Sequence, residues 1–550
     1  MAEGDAETES SPGPRTGTHG RPGRRTPLIL HPILFAAFPV LFLWAHNLDQ
    51  GVDLDEVIGP LLLAMAAAGA LWGLGTWLLH DARRAGLIVS VLALMFFSFG
   101  YLDQAIGRAA DVNTTLLLAG WILVALVLVA VVAIGGGWVG NVTTGFNIAA
   151  VVLVGLNVFT ITWASIAPGA SNPKFLAEGA ATLPPSLLAT PPANRPDVYY
   201  IIFDEYGGTR ALQDFFHYDD QPLMQWLQSK GFVVPAQSAT NYPRTELSVA
   251  SSMNLRYLSF LTRKMGTNTG NEAPITSLLE HSQIGTIMRS LGYDYIHIGS
   301  WFNQTRTAAN ADVNLQARGN SDFSSLLLQQ TAVTQASGNS LRIEDYRDTL
   351  FQLWALRHLQ QYRGPRFVFT HFICPHGPDV FSRTGRYVSR QQIAAEGRAT
   401  AFIDQHYWID RQIRGIVTYL QDEPAGQQPV IILQADEGPY PGEPTTWPAE
   451  NPNPDQLEMK FDILNAYYLP GVPKSVVWPT ITPVNTFRML LDAYFHANLA
   501  RLPDREYTFA SVQHHLYEFH DVTDPVHDAI WGRPEEPRAI PSAAAWNGSS

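Results

Sequence analysis

The chain opens with five long apolar segments, near residues 28–46, 57–79, 85–104, 114–135 and 145–167. Each is long enough to cross a hydrocarbon core of roughly 30 Å as a helix. A cleaved leader would supply one such segment, not five. Beyond them the pattern shifts to short β-rich runs: DVYYIIF (197–203), GFVV (231–234), YDYIHI (293–298), RFVFT (366–370) and PVIILQ (429–434). Helical stretches at 211–229, 246–257, 274–290, 344–361 and 398–420 separate them. Buried strands alternating with helices predict an α/β fold with a mostly parallel sheet covered on both faces.

These patterns divide the chain. Residues 1–26, rich in Gly, Pro, Ser, Thr and Glu, form an expected disordered cytoplasmic tail. A five-helix transmembrane domain spans 27–167, a Pro- and Ala-rich linker 168–195, an extracytoplasmic domain 196–525 and a flexible tail 526–550. Arg15, Arg21, Arg24 and Arg25 precede the first span, and Arg83 and Arg84 lie between the second and third. The loop DQGVDLDE after the first span is acidic, so the N-terminus is expected to be cytoplasmic. An odd number of spans then places the α/β domain outside the membrane of an integral, multi-pass protein. The spans carry no chain of Asp, Glu or Lys of the kind that lines an ion pathway, which argues against a transporter.

Composition narrows the function further. The formal charge of −13 over 550 residues comes with no basic stripe, which argues against a nucleic-acid partner. The single cysteine, Cys374, excludes an internal disulfide framework and a multi-cysteine zinc site.

Ligands of parallel sheets gather beyond the carboxyl ends of the strands. Here Asp204 and Glu205 follow the first strand, and His371 and His376 follow RFVFT in HFICPHGP. Asp436 and Glu437 follow the last strand, in VIILQADEGPY. Carboxylates and imidazoles converging on one edge are what a divalent metal needs: oxygen-rich sets favour Mg or Mn, and imidazoles admit Zn. Two adjacent carboxylates repel each other unless a cation or solvent intervenes. Thr245, in NYPRTELSVASSMN, stands at a predicted helix start, as an N-cap or as a hydroxyl beside free backbone N–H groups that can hold a phosphate. Arg244 precedes it, and Trp301 follows another strand in HIGSWFN.

PDVYYIIFDEYG, NYPRTELSVASSMNLRYL, HFICPHGP and VIILQADEGP, in that order, resemble the alkaline phosphatase superfamily. The likeness is to its membrane-anchored sulfatase-like hydrolase/transferases, relatives of lipoteichoic acid synthase and phosphoethanolamine transferases. It covers about residues 195–525 and implies an alkaline-phosphatase-like α/β/α sandwich. It implies that Asp204 is the first acidic metal ligand and that Thr245 is a nucleophile which also touches the metal. Asp436 matches the aspartate of the late metal-binding dipeptide, and His371 and His376 match histidines that meet the substrate or a second ion. Family members usually read Asp-His-Gly where this chain reads Asp436-Glu437-Gly438. A carboxylate at 437 would shift preference from Zn towards Mg, Mn or Ca.

The resemblance therefore implies phosphoryl-type transfer on a cell-envelope lipid or glycan phosphoester through a covalent Thr245 intermediate. Arg244 and Trp301 would line the substrate side, and His376 or His371 would protonate the leaving oxygen. Thr245 stands where formylglycine-dependent sulfatases carry Cys or Ser, which argues against sulfuric ester hydrolysis by that route. The competing class is a membrane protein whose outer domain binds such a ligand without turning it over. His514, His515 and His520 read as incidental surface histidines, and Asp404, His406 and Asp410 as a polar helix face.

Overall fold

The computed structural model describes residues 28–48, 52, 54–107, 113–166, 179–185, 187, 195–317, 321–424, 426–439 and 452–534. The expected disordered tail at 1–26 and most of the linker lie outside these residues. Five apolar helices come first: α1 (His31–His46), α2 (Leu54–Leu79), α3 (Ala82–Leu102), α4 (Thr114–Ile134) and α5 (Val139–Ile166). The Asp81 side chain caps α3 by accepting from the Arg83 and Arg84 N–H groups, and Asn113 caps α4 through Thr115 N–H. Four of the five are long and apolar enough to cross a membrane. The exception is α1, whose 16 residues extend only about 24 Å at 1.5 Å per residue. Of the five expected spans, four are therefore helices of spanning length among the described residues, and α1 is a shorter apolar helix that packs against α2, α3 and α5.

The α/β domain is built on a six-stranded sheet of β1 (Val198–Phe203), β2 (Asp294–Ile298), β3 (Val313–Leu315), β4 (Arg366–Phe372), β5 (Val430–Gln434) and β6 (Asn465–Tyr468). The strand order is β3-β2-β4-β1-β5-β6, and only β6 runs antiparallel. Every residue of β1 is buried because both faces of the sheet are covered. Tyr200 and Ile202 enter one core, whereas Tyr199, Ile201 and Phe203 enter the other, following the period-two alternation of a strand. Ile202 pairs with His371 of β4 and with Gln434 of β5, so three adjacent strands end level.

Several sequence expectations are corrected. GFVV is no strand: Val233 makes one isolated bridge to Tyr467, and Gly231 at φ 93° turns the chain just before it. The helix expected at 211–229 is two helices, Thr209–Phe216 and Gln221–Ser229, broken at His217, which is left-handed at φ 53°. That expected at 274–290 is also two, with Ser282 capping the second. The expected flexible tail begins instead with a helix, Thr523–Trp531, that carries Val526, Ala529 and Ile530 into the core. Residues 535–550 lie outside the described residues.

The domain also touches the helical bundle. Phe323 and Leu327, from the short helix Asp322–Gln329, pack with Val40 and Leu43 of α1 and Val57 of α2. Gly100 N–H donates to the Gln330 carbonyl at 3.0 Å, and Ala332 N–H to the Phe96 carbonyl at 2.8 Å. A Cβ at position 100 would lie 2.2 Å from the Gln329 carbonyl oxygen, so this approach requires glycine.

Candidate active site at the strand ends

The level ends of β1, β4 and β5 bring three residues from distant parts of the sequence together. One ligand atom each from Asp204, His371 and Asp436 lies within 4.8 Å of the other two, and all three residues are buried. His371 Nε2 stands 3.4 Å from Asp204 Oδ2 and 3.8 Å from Asp436 Oδ2. Asp204 Oδ1, His371 Nε2 and both Asp436 carboxylate oxygens have no hydrogen-bond partner. Buried polar atoms left without partners are costly. Four of them on three residues whose ligand atoms lie this close together fit a bound cation.

Backbone contacts hold the frame. Asp204 N–H donates to the Phe372 carbonyl at 2.9 Å, and His376 N–H to the Asp204 carbonyl at 3.0 Å. Gly438 N–H donates to the Lys460 carbonyl at 2.9 Å, where a Cβ on residue 438 would fall 2.0 Å from the Met459 carbonyl oxygen. Thr245 is the first residue of α6 (Thr245–Met253). Its hydroxyl lies 3.5 Å from Glu437 Oε1, the neighbour of Asp436 in sequence. The sequence-predicted set Asp204, Thr245, His371, Asp436 and Glu437 therefore meets in one place.

Glu437 has a partner that sequence reasoning missed. Lys460, in the helix Pro454–Phe461, places its ammonium 3.0 Å from Glu437 Oε2 and 3.2 Å from Glu205 Oε1. This lysine sits in an ordinary capped amphipathic segment, PDQLEMKF, which gives no sign that it reaches a strand end. Burial, with the Asp204 charge beside it, pushes the Asp436 carboxyl up to about 6. Burial pushes Glu437 up to about 8, and Asp436 and Glu205 add to this against the pull of Lys460. Asp204 falls below the usual range: burial opposes its ionisation, but His376, His371 and Lys460 outweigh burial. One lysine does not answer all this negative charge, and an added cation would lower the raised carboxyls.

His376 is half-buried at the rim. Burial pushes it down, but the Glu205 and Asp204 carboxylates outweigh burial and bring it up to about 9. It therefore carries a proton at neutral pH. Arg244 is occupied: its guanidinium pairs with Glu246 and, at 2.8 Å, with Glu272 Oε1. Trp301 is half-buried, with its ring centroid 6.5 Å from that of Phe302. Phe302 in turn presents edge-on to His371 at 6.2 Å, so Phe302 stands nearer the site than Trp301.

The remaining candidates lie elsewhere. His515 and His520 are on the β7–β8 hairpin (Tyr507–Ser511, His515–Asp521), both near Glu518. His406 and Asp410, expected to form a polar helix face, are turned into the core. His406 is fully buried, and the Asp410 carboxylate accepts from the Tyr206 and Tyr218 hydroxyls at 2.6 and 2.7 Å.

Solved structures similar to this chain include the integral membrane protein lipooligosaccharide phosphoethanolamine transferase A (EptA) from Neisseria meningitidis. The identity is 11%, over 84% of this chain and 96% of that one, with a TM-score of 0.37. The C-terminal periplasmic domain of EptC from Escherichia coli, in complex with Zn, is 12% identical over 56% of this chain and 84% of its own, with a TM-score of 0.37. The phosphonate monoester hydrolase of Agrobacterium radiobacter is 12% identical over 57% and 80%, at 0.38. No curated protein sequence matches the chain. The sequence profile of the sulfatase family matches residues 196–493, more than half of the chain and all of the strands that carry the site. The chain belongs to the sulfatase family, within the alkaline phosphatase superfamily.

Proposed function

We propose that the protein is a membrane-anchored, metal-dependent phosphoryl-type hydrolase or transferase acting on a cell-envelope lipid or glycan phosphoester. The observation that carries this reading is the convergence of unpartnered oxygens and one imidazole nitrogen from Asp204, His371 and Asp436 beside the Thr245 hydroxyl. Asp204, His371 and Asp436 would hold a divalent ion, with Thr245 and Glu437 at its edge. An oxygen-rich set of this kind suits Mn or Mg, with Zn or Ca admissible. When bound, such an ion supplies Lewis acidity and favours the threonine alkoxide.

The side chains supply the rest. Thr245 Oγ attacks phosphorus in line, and its proton has Glu437 Oε1 as an acceptor 3.5 Å away. As the Thr245 oxygen–phosphorus bond forms, the bond to the leaving oxygen breaks, and that oxygen takes the proton of His376. Water or an acceptor hydroxyl, giving its proton to the now neutral His376, then displaces Thr245 Oγ from phosphorus, and that oxygen takes its proton back from Glu437. Lys460 places positive charge at the same rim, where it holds Glu437 and Glu205 in position. Docking of Phe323 and Leu327 on α1 and α2 supports a substrate anchored in the membrane outside which the domain sits.

The test is turnover of bis(p-nitrophenyl) phosphate by purified full-length protein with Mn or Mg. Turnover that EDTA abolishes and that Thr245→Ala lacks supports the reading. Binding of the diester without turnover under any metal would leave a binding protein instead.

A further inference from the structure

His371 reaches the proposed ligand group through one ring nitrogen only, and the other is held from behind. Its Nδ1 lies 2.9 Å from Thr305 Oγ1, and that hydroxyl lies 2.9 Å from Ser300 Oγ. Thr305 ends the short 3-10 turn Asn303–Thr305, and its own position is fixed by β2. His297 Nε2 is 2.9 Å from the Thr305 carbonyl, which also accepts from Ser300 N–H at 3.3 Å. Thr305 and Ser300 are buried, as are His297 and His371. Gln352 Nε2 donates to the His371 carbonyl at 2.8 Å, anchoring the backbone on the same side.

We propose that Thr305 is a positioning residue for a divalent cation: it accepts the Nδ1–H of His371 and passes its own hydroxyl proton towards Ser300 Oγ. With that proton on Nδ1, the lone pair of Nε2 faces Asp204 and Asp436. A ligating histidine needs its second nitrogen committed in this way, because the partner there sets the tautomer and the ring orientation. The opposite tautomer would point an N–H into the group of carboxylates and leave no lone pair for a cation. Neither Thr305 nor Ser300 touches the carboxylates, so the effect acts through His371. The inference rests on the reading that Asp204, His371 and Asp436 hold a metal.

The experiment titrates Mn2+ into full-length protein in detergent by electron paramagnetic resonance, with melting temperature recorded for each variant. Thr305→Val keeps the shape and removes the acceptor; it is expected to weaken Mn2+ at least tenfold, in the range typical for loss of such a partner. Thr305→Ser should bind within threefold of wild type. In a His371→Gln background, Thr305→Val should cost nothing further. Wild-type affinity in Thr305→Val overturns the proposal, as does equal weakening in Thr305→Ser. So does an undiminished loss in the His371→Gln background. Should Thr305→Val not fold, Ser300→Ala decides: about threefold weaker binding supports the relay, and unchanged affinity overturns it. Failure of the underlying reading looks different, since then the wild type itself takes up no Mn2+, or Asp436→Asn binds it as well as wild type does.

Discussion

The Lys460 ammonium lies 3.0 Å from the Glu437 carboxylate, both largely buried at the end of β5. This pair gives Glu437 a charge partner contributed by the chain itself. Breaking a buried pair by removing one partner typically costs about 3–5 kcal/mol, whereas removing both costs far less. Lys460→Met is therefore expected to lower the melting temperature of the metal-free protein markedly. Glu437→Gln/Lys460→Met should recover most of that loss. Additive losses in the double variant would show that the two side chains do not act as a pair.

His376 is expected to act as the proton donor to the leaving oxygen, raised to about 9 by Glu205 and Asp204 against burial. A donor of this kind is protonated, and active, below its pKa. The rate should therefore hold below the pKa of His376 and fall as pH rises through it. His376→Gln should lose roughly 10²–10⁴-fold with alkyl phosphodiesters, and much less with p-nitrophenyl esters, whose leaving oxygen needs no proton. Equal losses on both substrates would remove His376 from that role.

Away from the site, burial lifts Asp220 up to about 7, while Thr209 donates to its Oδ2 at 3.0 Å and its Oδ1 has no partner. The folded chain thus binds this proton more tightly than the unfolded chain, whose aspartates titrate near about 3.9. Stability from this group is present at low pH and is lost as pH rises from about 4 through 7. Asp220→Asn, which keeps an acceptor for Thr209, should flatten the decline in melting temperature between pH 5 and 8. An unchanged slope would contradict the assignment.

The contact between bundle and domain is open to a steric test. A side chain at Gly100 would collide with the Gln329 carbonyl, and Phe323 fills the cluster formed with Val40 and Val57. Gly100→Val and Phe323→Ala are each expected to destabilise the protein by about 3 kcal/mol, as overpacking and cavity formation do. Proteolysis should then accelerate within 322–332 rather than within the sheet. Unaltered cleavage there would show that the contact carries no load.

What could be read from the chain follows from where each signal is local. DVYYIIF is apolar throughout and continuous with Asp204, so both the strand and the acid at its end were readable. The same holds for RFVFT with His371 and for VIILQ with Asp436, because parallel strands deliver their next residues to one edge. Lys460 and Thr305 were not readable. One comes from an amphipathic helix, the other from a three-residue turn, and only tertiary packing brings them to the site. GFVV misled because a short apolar run after a left-handed glycine can be buried by packing with a single bridge to the sheet. His406 and Asp410 misled in the opposite sense: they suggested a polar helix face, but tyrosine hydroxyls provide for Asp410 within the core.

The central claim is a covalent bond between Thr245 and the transferred group, and mass spectrometry of the protein tests it most directly. Full-length protein is incubated with Mn2+ and a phosphodiester, quenched in acid during turnover and digested. The peptide that contains Thr245 should gain the mass of the transferred phosphoryl group, assigned to Thr245 by fragmentation and absent in Thr245→Ala. Sustained turnover by Thr245→Ala, or a modification on another residue that turns over at the rate of product formation, would contradict the account.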